Sequence, residues 1–498
     1  MNPGRPLYLA EQVRELDRRT IAAGVEGFAL MHKAAQAAYR VLRARWPEAR
    51  HLSVLCGAGN NAGDGYVMAA LAAAEGLQVQ LLALRPVERL VGDAARAAEL
   101  AVARGVIITP WTAQARLEGE VIVDALLGTG LSGEVREPFL GAIERINAAG
   151  RPVLAVDIPS GLCADSGAVL GAAVSASATV TFIGDKLGLH TGAGPARVGE
   201  CYFKRLGVDA EAHGDLAPVA RLLDEALIGE VVAPRPRDAH KGDCGHLLVI
   251  GGAPGFGGAA LLAAETAARL GAGKVSLATA PEHVTASLVR CPEVMVHGVR
   301  GAPELAPLLA GADAIVVGPG LGQGPWGQGL LQATLAAGKP LVADADALNL
   351  LARGLSEARP PAWILTPHPG EAARLLGGDA AGVQADRAGS LREIAARFAA
   401  VVLLKGAGSL VGEDDGAPLA LCPYGNPGMA SGGMGDALSG ILGALLAQGL
   451  APRAAAEVGM LLHARAADLA ARAEGERGLL AGDLASYARR LINGVGWN

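Results

Sequence analysis

The sequence predicts an α/β protein built on two parallel sheets, and three observations carry this. Short runs that are apolar on both faces alternate with Ala-rich helical stretches along all 498 residues, the pattern of central strands covered by helices. The alternation breaks and restarts around a Pro/Arg-rich stretch at 232–238, so two domains are expected, 1–215 and 222–498. The 70 Gly residues gather behind the apolar runs and show no Gly-X-Y period, which excludes collagen.

In the first half the runs predict strands at His51–Cys56, 79–84, 121–127, 152–158 and 178–183. In the second half they predict strands at His246–Ile250, 274–278, Ala314–Val317, 340–343, 362–365 and 400–404. Helices are expected at 66–75 behind Asp64, at 259–270, and at 437–448 behind Asp436, each Asp serving as a start signal. The longest uncharged stretch, 314–338, holds seven Gly. It reads as a strand, a loop and a helix rather than a membrane span.

Composition narrows the function class. A hydrophobic share of 51% excludes a disordered chain. The net charge is -6 and no basic stripe stands out, so no nucleic-acid partner is expected. The six Cys are scattered without a CxxC pair, and the first 20 residues are rich in charge. A reducing, cytoplasmic setting without membrane attachment is expected. Only seven of the 43 cationic residues are Lys, so each Lys is worth following.

Three strand ends in the first half carry polar loops. Residues 57–65 read Gly-Ala-Gly-Asn-Asn-Ala-Gly-Asp-Gly, which fits a dinucleotide fingerprint but lacks its acidic partner at the next strand end. Asn side chains and bare N–H groups at a helix start suit phosphate and ribose oxygens. Residues 121–133 place Asp124 late in a strand before a Gly-rich loop, and 152–161 place Asp157 and Ser160 at another strand end. Parallel strands gather their carboxyl ends on one rim, so Asn61, Asp124, Asp157 and Ser160 are expected together. Oxygen donors of this kind suit a hard cation.

These three motifs together resemble the NAD(P)H-hydrate epimerase family over nearly all of 1–215. The resemblance implies a Rossmann-like doubly wound sheet and interconversion of the R and S hydrates of NADH or NADPH at carbon 6. It implies nucleotide contacts from Asn60, Asn61, Ala62, Gly63 and Asp64 and from Gly128, Thr129, Gly130, Leu131, Ser132, Gly133 and Glu134. It also implies a potassium ion (K+) held by Asn61, Asp124 and Ser160, with Asp157 at the reacting ring. The chemistry needs one group that alternates as acid and base. Asp157 is the first candidate and Lys186 the second, although a surface lysine would read the same. Ala62 departs from the family, where Gly is usual, and a slightly different local backbone is expected there.

The second half ends nearly every strand in a Gly-rich or charged loop. These include Gly-Pro-Gly-Leu-Gly at 318–322, Asp-Ala-Asp at 344–346, Thr-Pro-His-Pro-Gly-Glu at 366–371 and Lys-Gly-Ala-Gly-Ser at 405–409. The sharpest is Ser-Gly-Gly-Met-Gly-Asp at 431–436. Its bare N–H groups at a helix mouth favour an anion, and Asp436 could take a proton from a hydroxyl facing a phosphoryl group, or could simply cap the helix.

With His-Lys-Gly at 240–242 and Gly-His at 245–246, these motifs resemble the ribokinase-like superfamily, and within it NAD(P)H-hydrate dehydratase, over about 222–498. The resemblance implies a C-terminal ribokinase-like α/β domain that removes water from the S hydrate with help from a nucleotide phosphoryl group. It implies ADP binding by Lys405, Gly406, Ala407, Gly408, Ser409, Asn426, Gly432, Gly433, Met434 and Gly435. It places the hydrated nicotinamide against Ala259, Gly322, His368 and Asp436. Magnesium (Mg2+) would bridge the phosphates, with Glu371 and Asp344 as supporting carboxylates. Both families tend to assemble, so a homo-oligomer is expected. The rival is a small-alcohol kinase with a regulatory N-terminal binding domain.

Overall fold

A computed structural model describes residues 4–208, 214, 216–356 and 359–495. The chain divides into two compact units, one spanning Pro6–Ala220 and the other running from Arg221 onward. The expected limits at residues 1, 215 and 498 lie outside the described residues.

The seven-stranded sheet of the first unit is made of β1 (His51–Cys56), β2 (Gln78–Ala83), β3 (Ile108–Pro110), β4 (Val121–Ala125), β5 (Val153–Val156), β6 (Ala178–Phe182) and β7 (Glu200–Lys204). Their order is β3-β2-β1-β4-β5-β6-β7, parallel throughout. This is the doubly wound arrangement, with its switch point between β1 and β4. Alternate residues feed two cores. Leu52, Val54, Val121 and Val123 pack with the helices Gly27–Arg45, Asn60–Ala74 and Gly92–Ala103. Leu55, Ile122 and Val153 pack with Phe139–Ala148 on the other face. Both faces are covered, which is why the strands read as continuous apolar runs.

The second unit holds β8 (His246–Ile250), β9 (Lys274–Thr279), β10 (Met295–Gly298), β11 (Ala314–Val317), β12 (Leu341–Ala343), β13 (Trp363–Leu365), β14 (Val401–Leu404), β15 (Leu410–Gly412) and β16 (Leu419–Leu421). The order is β10-β9-β8-β11-β12-β13-β14-β15-β16. The first seven are parallel and the last two return antiparallel. The helix Met434–Ala447 is buried from Ala437 to Ala447 at the centre of this core, as its apolar circumference requires.

The expected strands fall within two residues of the observed ones. Besides the short strands Arg5–Tyr8, Asp185–Lys186 and Ala220–Leu222, five strands of the two sheets escape the pattern: β3, β7, β10, β15 and β16. The first three have exposed or mixed burial, and the last two are three-residue hairpin arms. The helix starts need correction. Asp64 does not start its helix, which begins at Asn60 behind Gly59. Asp436 is the third residue of Met434–Ala447, behind Gly433 in the left-handed region at φ 89°. The helix expected at 259 begins at Gly257. Glycines in the first helical turns were mistaken for loop. Those at 63 and 65 serve close packing, because a Cβ at Gly65 would lie 2.5 Å from the Ala125 Cβ. Ala62 sits in regular helix and is fully buried. The 314–338 stretch is a strand, a loop and the helix Pro325–Ala336. Among the described residues no helix is long and apolar enough to cross a membrane.

Candidate active sites

In the first unit the loops after β1, β4 and β5 meet on the carboxyl rim. Asp124 is fully buried. Its Oδ1 accepts the Ser160 hydroxyl at 2.6 Å and its Oδ2 accepts the Ser160 N–H at 2.8 Å. Ser160 Oγ in turn accepts the Leu127 N–H at 2.8 Å. Burial outweighs these hydrogen bonds and pushes the Asp124 carboxyl up to about 6. Asn61, in the first turn of its helix, is buried with neither amide atom hydrogen-bonded. The loop after β4 abuts it: a Cβ at Gly128 would lie 3.2 Å from the Asn61 Cβ. The oxygens of Asp124 and Ser160 and the orphaned buried Asn61 amide fit a hard cation.

Asp157 and Lys186 are brought together by two strained turns. Asp157 has φ 66° and Ile183 has φ 62°. Each is the middle of a three-residue turn, closed by Ile158 N–H to Val156 O at 2.8 Å and by Gly184 N–H to Phe182 O at 2.7 Å. A non-Gly residue rarely adopts this conformation, and such strain collects at functional sites. Lys186 is fully buried and its ammonium pairs with Asp157 Oδ1. It also donates to Thr181 Oγ1 at 2.8 Å and Phe182 O at 3.3 Å. All three ammonium hydrogens are thereby used. The surface-lysine alternative is excluded.

Two more carboxylates share this charge cluster. Burial raises Asp64 well above its usual range, and Asp157 and Asp17 add to the shift. Burial likewise pushes Asp17 up to about 6, with Lys186 opposing. Asp17 lies on the amphipathic helix Ala10–Ala22, and nothing in the sequence singles it out.

In the second unit Lys405 and Asp344 form the centre. Lys405 Nζ lies 2.8 Å from Asp344 Oδ1 and 3.7 Å from Glu371 Oε2, and Ser439 donates to Asp344 Oδ2 at 2.8 Å. Burial would raise Asp344, but Lys405 and these hydrogen bonds hold it below its ordinary value. Burial would lower Lys405, and the two carboxylates reverse that. The glycine turn lies over the lysine: a Cβ at Gly435 would sit 3.4 Å from Nζ. Asp436, one residue on, has its carboxyl pushed up to about 7 by burial and by Asp344, with Lys405 opposing.

His368 caps the helix Pro369–Leu376, its Nδ1 accepting from Gly370 N–H at 3.0 Å. Burial lowers its pKa. Gly322 donates its N–H to Asp346 Oδ2 at 2.9 Å, and a Cβ at Gly320, two residues earlier, would lie 3.3 Å from the Ala259 Cβ. Buried Arg387 donates to Leu404 O and Lys405 O at 3.3 and 3.2 Å and so shapes the 405–409 turn. Asn426 caps the short turn after it and donates to Asp468 at 3.0 Å. Asp346, Arg387 and Ser439 are missed by sequence reasoning. Asp346 at least lies inside a motif, whereas a buried Arg and a helical Ser give no local sign.

Two α/β units, each gathering carboxylates and a carboxylate-paired lysine on the carboxyl rim of a parallel sheet beside a helix start, define a two-site enzyme. Residues 247–490 match the family model described as NAD(P)H-hydrate dehydratase. Residues 27–188 match the one described as YjeF-related protein N-terminus. The chain is 48% identical over 98% of its length to the bifunctional NAD(P)H-hydrate repair enzyme Nnr of Coxiella burnetii, covering 99% of that protein. It is 43% identical to the Escherichia coli enzyme of the same description, over 98% of this chain and 94% of that one. A ribokinase-like superfamily protein from Enterococcus faecalis superposes with a TM-score of 0.51 at 28% identity, covering 55% of this chain and 96% of its own. The chain belongs to the family of bifunctional NAD(P)H-hydrate repair enzymes.

Proposed function

We propose that the two sites act in sequence on hydrated NADH and NADPH. The chain is a bifunctional repair enzyme: an epimerase in the first unit, a dehydratase in the second. What supports this division is that each unit carries its own acid–base carboxylate, Asp157 or Asp436, on a rim of backbone N–H groups.

In the epimerase, the C6–O bond must break and re-form on the opposite face. Asp157 protonates the departing oxygen while the ring nitrogen supplies the electron pair, then takes a proton from the water that returns. Lys186 does not exchange protons with substrate. Its three hydrogens are committed, so it is a positioning residue that holds Asp157 Oδ1 and leaves Oδ2 outside that network. The helix start at 60–64 and the loop at 128–134 take the nucleotide. Asn61, Asp124 and Ser160 would hold a potassium ion, whose charge would draw in the substrate's phosphates.

In the dehydratase, 405–409, Asn426 and 432–435 hold the nucleotide, with ADP as the phosphoryl donor and magnesium neutralising its phosphates. Asp436 takes the proton from the C6 hydroxyl as that oxygen attacks the terminal phosphoryl group of ADP and AMP departs; the C6–O bond then breaks as the ring nitrogen supplies its electron pair, phosphate leaves, and loss of the C5 proton restores the ring double bond. A carboxyl near 7 is matched to this task at neutral pH. Ala259, Gly322 and His368 border the nicotinamide.

The test supplies an R/S mixture of hydrated NADH with ADP and magnesium and follows the return of reduced-cofactor absorbance. Full recovery is expected. Recovery of only the S share points to a silent first site. No recovery with ADP or ATP, or a stable phosphorylated alcohol, overturns the dehydratase assignment in favour of a kinase.

A further inference from the structure

Asp185, His190 and Cys201 converge in the first unit in a way the epimerase chemistry does not use. One ligand atom from each lies within 4.8 Å of the others. His190 Nε2 is 2.9 Å from Asp185 Oδ1. The Asp185 side chain is fully buried and that of His190 is 10% exposed, while Cys201 is of intermediate burial and outside any disulfide. The three groups come from separate elements: the two-residue strand Asp185–Lys186, the residue after the turn Leu187–Leu189, and the second residue of β7.

We propose that these residues form a zinc site of carboxylate, imidazole and thiolate, with water as the fourth ligand. Zinc takes this donor set in tetrahedral geometry at about 2.0–2.3 Å, which sets ligand atoms roughly 3.3–3.8 Å apart. The His190–Asp185 separation of 2.9 Å is a hydrogen bond that ligation would open by a few tenths of an ångström, and one ligand atom of Cys201 lies within 4.8 Å of the other two. The backbones are held: Asp185 pairs with Leu7 and Cys201 with Thr179 in parallel ladders. Access runs past the partly exposed His190 and Cys201. Successive strand side chains face opposite ways, so the metal sits behind Lys186. There it ties the segment carrying that lysine to edge strand β7.

The experiment uses the full chain, reduced and stripped with a chelator, with Co2+ and Zn2+ as probes. One Co2+ per chain is expected, with thiolate-to-cobalt charge-transfer absorption that Zn2+ abolishes by displacement. Cys201→Ser should lose that absorption, and His190→Gln should weaken binding by more than about tenfold. Zn2+ should raise the unfolding temperature of the wild type and not that of either variant. Circular dichroism of the metal-free variants, matched against metal-free wild type, separates lost ligation from lost folding. Absence of the charge-transfer band in wild type, or its persistence in folded Cys201→Ser, overturns the proposal. None of these readouts depends on the epimerase assignment.

Discussion

Asp436→Asn should stabilise the second unit while abolishing its chemistry, and the gain should depend on pH. The native carboxyl is raised from 3.8 to about 7, chiefly by burial and then by Asp344. In the unfolded chain it returns to its ordinary value. Between those two pH values the folded state binds more protons than the unfolded one, so stability falls as pH rises through the window and levels off above about 7. A shift of about three units corresponds to about 4 kcal/mol of disfavoured charge at high pH. Asp436 is only partly buried, and solvent screening trims this to about 2 kcal/mol. Below about pH 4 both states are protonated and the penalty vanishes. Asn has the same shape and no charge. Urea unfolding of the full chain at about pH 4 and about pH 8 measures this, with the first unit's transition as internal reference. The variant should gain about 2 kcal/mol at the higher pH and little at the lower. An equal gain at both, or none at the higher, refutes the charge-burial reasoning.

Three further outcomes follow from the same geometry. Lys186→Met removes one partner of a buried pair, a change that usually costs 3–5 kcal/mol. Epimer exchange should fall at least about 100-fold while dehydration of pure S hydrate, measured in the same preparation, stays unchanged. The dehydratase rate on S hydrate should rise about tenfold from about pH 6 to about pH 8 as Asp436 ionises. Asp344→Asn, which removes a neighbouring negative charge, should move that limb to lower pH, and a limb that stays put would count against Asp436 as the base. Replacing potassium by tetramethylammonium should slow only epimer exchange, and Asn61→Ala should erase that dependence. An exchange rate indifferent to the cation in wild type would remove the potassium site from the first unit.

Much of this was legible because parallel strands buried on both faces are written as apolar runs, and the polar residues that interrupt them stand out. Asp124 and Asp157 are of this kind: acids where packing wants none. The glycine runs were equally plain, but their meaning was only half legible. Gly57 and Gly433 shape the rim, whereas Gly65 lets its helix press on the sheet at Ala125 and Gly63 lets it press on the neighbouring helix at Met31, as the clash of a Cβ with each shows. What stayed hidden were groups whose role is fixed by partners distant in sequence. Asp17 reaches the Asp157 cluster from 140 residues away in the chain. Arg387 is buried under the 405–409 turn with no periodic sign. The five strands missed in the two main sheets lie at sheet edges or in the closing hairpin, where apolar periodicity is weakest.

The two sites resolve one electrostatic problem in opposite ways. Each needs a carboxylate beside a region that collects phosphate, and each pairs one lysine with a carboxylate there. In the first unit Lys186 sits on the reacting carboxylate itself, so Asp157 is held in place with its counter-ion. The neighbouring acids Asp17 and Asp64, whose carboxyls are raised, share the charge cluster around that pair. In the second unit Lys405 sits on Asp344 instead, and Asp436 is left without a cation of its own beside a negative neighbour. That arrangement lifts Asp436 towards neutrality while Lys405 remains under the glycine turn at Gly435, where an anionic nucleotide would lie. Reversible epimerisation needs a group that gives and takes a proton at equal ease. One-way dehydration needs a base strong enough to start and an anion held firmly enough to leave. The placement of each lysine matches the direction of the reaction its unit performs.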